Sequence, residues 1–332
     1  MNGRSVAASL LVLTMAAVGA AASTADLWGI AGSASDATAA GTAGTVRYAA
    51  STHTAWFPAT GLGGVSAHLR GVGLDEAGYY YVVGETGTLL RSTLSGGHAF
   101  ILETTPTEEH LHGAAYFNSR MMVSGGGGVL LWSANPGGAW SLESTPTSQT
   151  LYALVRGLSC GIAVGAQGTI LRGGVDGTGW TAVSSPVTGA DLHGVVRLAD
   201  NRFLAVGTGG TVLRSPAAGT PWEVISFPES IELFGVAART GSPARVVAVG
   251  EGGAIYTSTD AGSSWQEVES SVTRTLRAVA YTGSDFLACG DHGTLLRSQD
   301  GVTWSDLTPV RRSSWGALKR RFQTDPATEE AP

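Results

Sequence analysis

The sequence predicts an all-β protein, a ring of seven four-stranded blades, and three observations carry that prediction. A four-residue element, Gly-x-x-Gly, recurs seven times, starting at Gly41, Gly84, Gly125, Gly165, Gly207, Gly250 and Gly290, in steps of 40 to 43 residues. About eighteen residues before the second glycine of each stands a leucine: Leu27, Leu69, Leu111, Leu151, Leu192, Leu233 and Leu276. Some way after each element comes an aromatic residue: Trp56, Phe100, Trp140, Trp180, Trp222, Trp265 and Trp304. A period near 40 residues made of short apolar runs is the signature of propeller blades.

Each repeat supplies its four strands in order. The leucine opens the first. A second apolar run, such as Phe203-Leu204-Ala205-Val206, leads into the Gly-x-x-Gly turn. The third follows at once, as in Thr211-Val212-Leu213-Arg214-Ser215, and the aromatic residue begins the fourth. Both turn glycines are expected at positive φ, which tight hairpins require and side chains resist. The repeats fill the chain from Leu27 to about Pro309, so the propeller is assigned to residues 24–309 and no helix is needed within it.

Composition agrees with this reading. Forty-eight glycines and only 14% charged residues suit many short strands joined by tight turns. A net charge of −6 argues against nucleic acid as a partner, because non-specific binding there needs a basic surface. Residues 1–23 have the pattern of a secretory signal peptide. Arg4 lies before an apolar run from Val6 to Ala22, and Ala20-Ala21-Ala22-Ser23 provides small residues for cleavage. A periplasmic or secreted location follows as an expectation. Cys160 and Cys289 lie three repeats apart, too far for a disulfide, and are expected as buried free thiols.

The segment between third and fourth strands carries a second motif. Ser258-Thr259-Asp260-Ala261-Gly262-Ser263-Ser264-Trp265 has the Ser-x-Asp-x-Gly-x-x-Trp pattern of the Asp-box, or bacterial neuraminidase repeat, and Ser298 to Trp304 is the same box one residue shorter. Elsewhere Asn135 or Ala217 replaces the aspartate and Phe100 the tryptophan. The aspartate is expected to cap turn N–H groups above the packed indole, a structural task. Together with the Gly-x-x-Gly-Thr-x-Leu-Arg-Ser strands and the export signal, these boxes make the chain resemble the photosystem II stability and assembly factor family. That resemblance implies a seven-bladed propeller acting as a non-catalytic scaffold, with a membrane protein complex or exported polypeptide as partner and no cofactor. A monomer is expected.

The residue after each strand-opening leucine is Trp28, Arg70, His112, Tyr152, His193, Phe234 and Arg277, aromatic or basic in every repeat. With the first strand innermost, these seven sit around the central channel and form a candidate partner-binding ring, since aromatic and arginine side chains dominate hot spots. The competing explanation is that they wedge between blades, with the small residue that follows making room. Four residues past the second turn glycine stand Arg91, Arg172, Arg214 and Arg297, a candidate basic patch whose competing role is to brace the next turn. Beyond the propeller, residues 310–332 form a basic and then acidic tail. The segment from Arg311 to Phe322 holds five cations and would place Trp315, Leu318 and Phe322 on one helical face, a candidate for peripheral membrane contact.

The alternative function is that of a carbohydrate-active propeller, a sialidase- or glycosidase-like hydrolase or a lectin. The best carboxylate pair is Glu251 and Asp291, in the turns of adjacent blades. His110 and His112, two apart, would share one side of a strand but lack a third metal ligand nearby, so no metal site is expected.

Overall fold

The computed structural model describes residues 25–308, except 135–136 and 242–243. The predicted signal peptide and the basic tail lie outside the described residues. Seven antiparallel sheets of four strands are arranged in a ring, each sheet built from four consecutive strands with the first innermost. In blade 1 these are β1 (Leu27–Gly32), β2 (Asp36–Gly41), β3 (Val46–Ala50) and β4 (Trp56–Pro58). The inner strands of the other blades begin at Leu69, Leu111, Leu151, Leu192, Leu233 and Leu276, the leucines that mark the repeat. All seven leucines are fully buried.

The core is divided among the seams between blades. Seven apolar clusters each join two neighbouring blades; one sets Phe117, Met122 and Leu130 of blade 3 against Leu151, Ala163 and Leu171 of blade 4. Side chains alternate across each sheet, so the middle strands, covered on both faces, are apolar throughout (Phe203 to Gly207, for example, is wholly buried).

The Gly-x-x-Gly turns correct one expectation. The second glycine does lie at positive φ, from 66° at Gly44 to 81° at Gly253, and the residue before it is left-handed as well. The first glycine is extended, with φ between −160° and −170° in the six turns that form a short 3₁₀ segment. Its need for glycine is one of space. A Cβ on Gly165 would lie 1.9 Å from the Thr150 carbonyl oxygen, and the same clash recurs at the other six positions. Gly165→Ala is therefore expected to cost at least about 3 kcal/mol in urea unfolding. Gly241→Ala, with open space around an ordinary backbone, should cost less than about 0.5 kcal/mol. Equal losses would show that the close approach is not what fixes the first glycine.

Among the described residues the ring closes without any strand crossing from one end of the chain to the other. Blade 7 meets blade 1 chiefly through apolar side chains: Leu287, Cys289 and Leu295 pack on Leu27, Ile30 and Trp56. On one face, the His292 N–H donates to the Asp26 carboxylate at 2.8 Å. On the opposite face a buried polar cluster completes the seam. His53 of blade 1, with no exposed surface, makes a 2.9 Å Nδ1–Oδ2 contact with Asp285 of blade 7, whose other oxygen lies 2.8 Å from the Arg297 guanidinium. Cys160 and Cys289 are free and buried.

Candidate functional site

The seven residues after the strand-opening leucines converge on a single central cavity of about 470 Å³. A local irregularity puts them there. In every blade the pairing of first and second strands skips one residue, between Leu27 and Gly29, Leu69 and Gly71, and likewise around the ring. The skipped residues are Trp28, Arg70, His112, Tyr152, His193, Phe234 and Arg277. Each is the extra residue of a β-bulge, which frees it from the ladder and turns its side chain toward the channel mouth. All seven are half-buried.

The small residue that follows makes room, but for backbone rather than for the ring. A Cβ on Gly29 would lie 2.9 Å from the Gly71 Cα, and one on Gly71 would lie 2.0 Å from the His112 carbonyl oxygen. The inner strands can thus close up, which brings the bulged side chains of adjacent blades into contact. His112, Tyr152, His193 and Phe234 follow one another at ring-centroid distances of 5.3, 5.3 and 5.4 Å. The Arg277 guanidinium lies 4.9 Å from the Phe234 ring, and that of Arg70 lies 5.1 Å from Trp28. Blades 3 to 6 present an aromatic arc; blades 7, 1 and 2 present Trp28 between two arginines.

Carboxylates behind the ring hold these groups. Arg70 reaches Glu85 at 2.6 Å, and Arg277 grips Asp291 through Nε at 2.8 Å and Nη2 at 3.1 Å. The Tyr152 hydroxyl donates to Asp191 at 3.3 Å. Partial burial works against ionised Glu85, yet the Arg70 hydrogen bond and charge hold its carboxyl below the usual range. Burial also lowers His193, against the opposing pull of Glu232 and Asp191.

His112 is the most perturbed member of the ring. Burial, followed by the positive charges of Arg70 and His110, pushes it down to about 4 from an ordinary 6.5. The fold therefore favours the neutral ring. Its contribution to stability is complete above the unfolded value of 6.5, declines as pH falls toward 4, and does not decline further below that. With allowance for the solvent-facing cavity, His112→Phe should lose about 1–2 kcal/mol less than the parent between pH 7 and pH 4.5. Urea unfolding at the two pH values checks this; identical losses would remove His112 as the source.

His110 and His112 do not share one side of a strand. His110 precedes the inner strand, and its Nδ1 accepts the Thr86 N–H at 3.1 Å, capping the neighbouring turn. No cluster of three or more metal-ligating side chains occurs among the described residues. Glu251 and Asp291 are not brought into one cavity either. Asp291 is held by Arg277, whereas Glu251 lines a separate groove beside Glu229, Glu267 and Glu269.

The second set of predicted residues lies in the seams, away from the cavity. Arg172 donates to the Ala218 carbonyl of the next blade at 2.7 Å, and Arg214 to Ser263 of the next blade at 2.6 Å and to Glu223. Arg91 pairs with Glu103 at 2.7 Å beneath Gly137 of blade 3, and Arg297 pairs with Asp285. In this position each arginine is tied to the turn between third and fourth strands or to the seam beside it. Within those turns the expected caps are present. Asp260 accepts from the Ser264 N–H and hydroxyl, and the Trp265 indole donates to the Gly262 carbonyl at 3.1 Å. Burial opposes ionised Asp260, but the Ser264 hydrogen bonds prevail and hold it at about 2.

No protein-family model matches the chain, and none of the curated proteins matches it in sequence. Solved structures do share its architecture. YCF48 from Cyanidioschyzon merolae superposes with a TM-score of 0.67 at 18% identity, over 84% of this chain and 97% of that one. YCF48 bound to D1 peptide gives 0.66 at 19%, over 83% and 92%. A catalytically inactive virginiamycin B lyase from Staphylococcus aureus, with quinupristin, gives 0.72 at 12%, over 83% and 95%. A GH74 enzyme from Niastella koreensis gives 0.69 at 16%, over 86% of this chain and 54% of that one. Likeness at these identities establishes the seven-bladed ring, which a peptide-bound protein and enzymes have in common; function has to be argued from the site.

Proposed function

We propose that this chain is an exported, non-catalytic scaffold that binds a segment of another polypeptide, from a membrane protein complex or an exported chain, across its central cavity. One observation carries the reading. Seven bulged side chains, aromatic or cationic in every blade, line one central cavity, five of them in an unbroken run of ring contacts from His112 to Arg277. Planar rings and guanidinium groups presented half-buried, with their rotamers set by neighbours, are what a binding hot spot consists of. The peptide held by a YCF48 propeller of like architecture supports the choice of a polypeptide over a sugar.

Affinity purification of the tagged mature chain from detergent-solubilised host membranes tests this reading. The chain should retain a defined membrane or exported protein, and the double variant Tyr152→Ala/Phe234→Ala should lose it while remaining folded. Retention by the double variant, or capture of glycans in place of protein, would overturn the reading.

A further inference from the structure

The sign of the partner's charge is written on the face that carries the ring. Turns and inter-blade linkers share that face, as the backbone bonds from Glu85 N–H to the His68 carbonyl and from Gly87 N–H to the Glu109 carbonyl show. The Gly-x-x-Gly turns and linkers of the described chain hold ten carboxylates. Four are engaged: Glu85 and Asp291 by ring arginines, Asp26 and Asp191 by turn N–H groups. The other six are Glu108, Glu109, Glu229, Glu232, Glu251 and Glu269; none is paired with an arginine, and Glu232 alone of them lies against a ring side chain, 3.5 Å from His193 Nε2. Five of them are exposed.

Cations are scarce on this face. Of the fourteen arginines between residues 25 and 308, only Arg70, Arg274 and Arg277 belong to the ring, its linkers or its turns. Two of these three are already neutralised by Glu85 and Asp291. The mouth of the cavity therefore sits in a negative field, and the ring itself adds almost no charge to oppose it.

We infer that the occupant of the ring is a basic polypeptide segment, rich in lysine or arginine. The glutamates would steer it and hold it at the rim, while the exposed faces of Trp28, Tyr152 and Phe234 would take its cationic or apolar side chains. This inference rests on the proposal that the cavity binds a polypeptide. It replaces the acidic partner that two ring arginines, taken alone, would select.

Fluorescence anisotropy with three labelled twelve-residue peptides, identical except that four positions are all lysine, all glutamine or all glutamate, separates the possibilities. The full chain is used, alongside one with Arg311, Arg312, Lys319, Arg320 and Arg321 replaced by glutamine to remove a basic competitor in cis. At about 50 mM salt the lysine peptide should bind at least ten-fold more tightly than the glutamate peptide, with the preference largely lost near about 0.5 M. Glu229→Gln/Glu232→Gln/Glu251→Gln should reduce the preference several-fold. Equal or tighter binding of the glutamate peptide would overturn the inference while leaving the ring as a polypeptide site. Binding of every peptide unchanged by Tyr152→Ala/Phe234→Ala, or binding of none, would remove the polypeptide reading and this inference with it.

Discussion

Asp285→Ala is expected to destabilise the protein by about 3–5 kcal/mol, more than truncation of any single ring side chain, although it lies on the opposite face from the cavity. Asp285 is 2% exposed and answers two groups at once, His53 across the seam and Arg297 within its own blade. Removing it leaves a buried imidazole and a partly buried guanidinium without their carboxylate, and uncompensated buried polar groups are costly. The damage should be local before it is global. Because no strand among the described residues ties blade 7 to blade 1, amide exchange should speed up first in the inner strands Leu27–Gly32 and Leu276–Tyr281. Urea unfolding together with hydrogen exchange measures both effects. A loss below about 1 kcal/mol, or exchange rising evenly around the ring, would show that apolar packing alone closes it.

Tyr152→Ala/Phe234→Ala should weaken binding of a captured polypeptide by on the order of a hundred-fold, with little loss of stability. Both side chains are half-buried, face the cavity, and belong to one continuous aromatic arc with His193 between them. Truncating the two anchors on either side of His193 removes most of the flat surface of blades 4 to 6, while the leucines that build the seams are untouched. Titration calorimetry against the captured segment checks the effect. A loss under about three-fold would place the contact elsewhere on the molecule.

Much of the fold could be read from the sequence, because a propeller repeats its constraints. Each strand-opening leucine is fully buried, each ring residue occupies the same place in its blade, and four strands per blade follow from the turn spacing. Three features were not legible. The bulge that aims the ring inward leaves no mark in composition, for the extra residue is known only once pairing partners are known. The first turn glycine looks like a demand for positive φ, but the demand comes from a carbonyl fifteen or more residues earlier in the chain. Closure through His53 and Asp285 joins residues more than 200 positions apart, and neither carries a repeat signal. The charge of the face around the cavity was hidden for a related reason. Arg70 and Arg277 stand out in a list of ring positions, while the glutamates that outnumber them are scattered over linkers whose common face appears only on folding.

Site-specific photo-cross-linking tests the central claim most directly. A photoreactive phenylalanine derivative is placed at Tyr152, at Phe234 and, as a control, at Val224, which is exposed on the outer strand of blade 5. Irradiation in host membranes should join a discrete polypeptide to the chain from positions 152 and 234 and not from 224. Cross-links from 224 as strong as those from the ring, or none from either ring position, would contradict the account of the central cavity as the place where the partner is held.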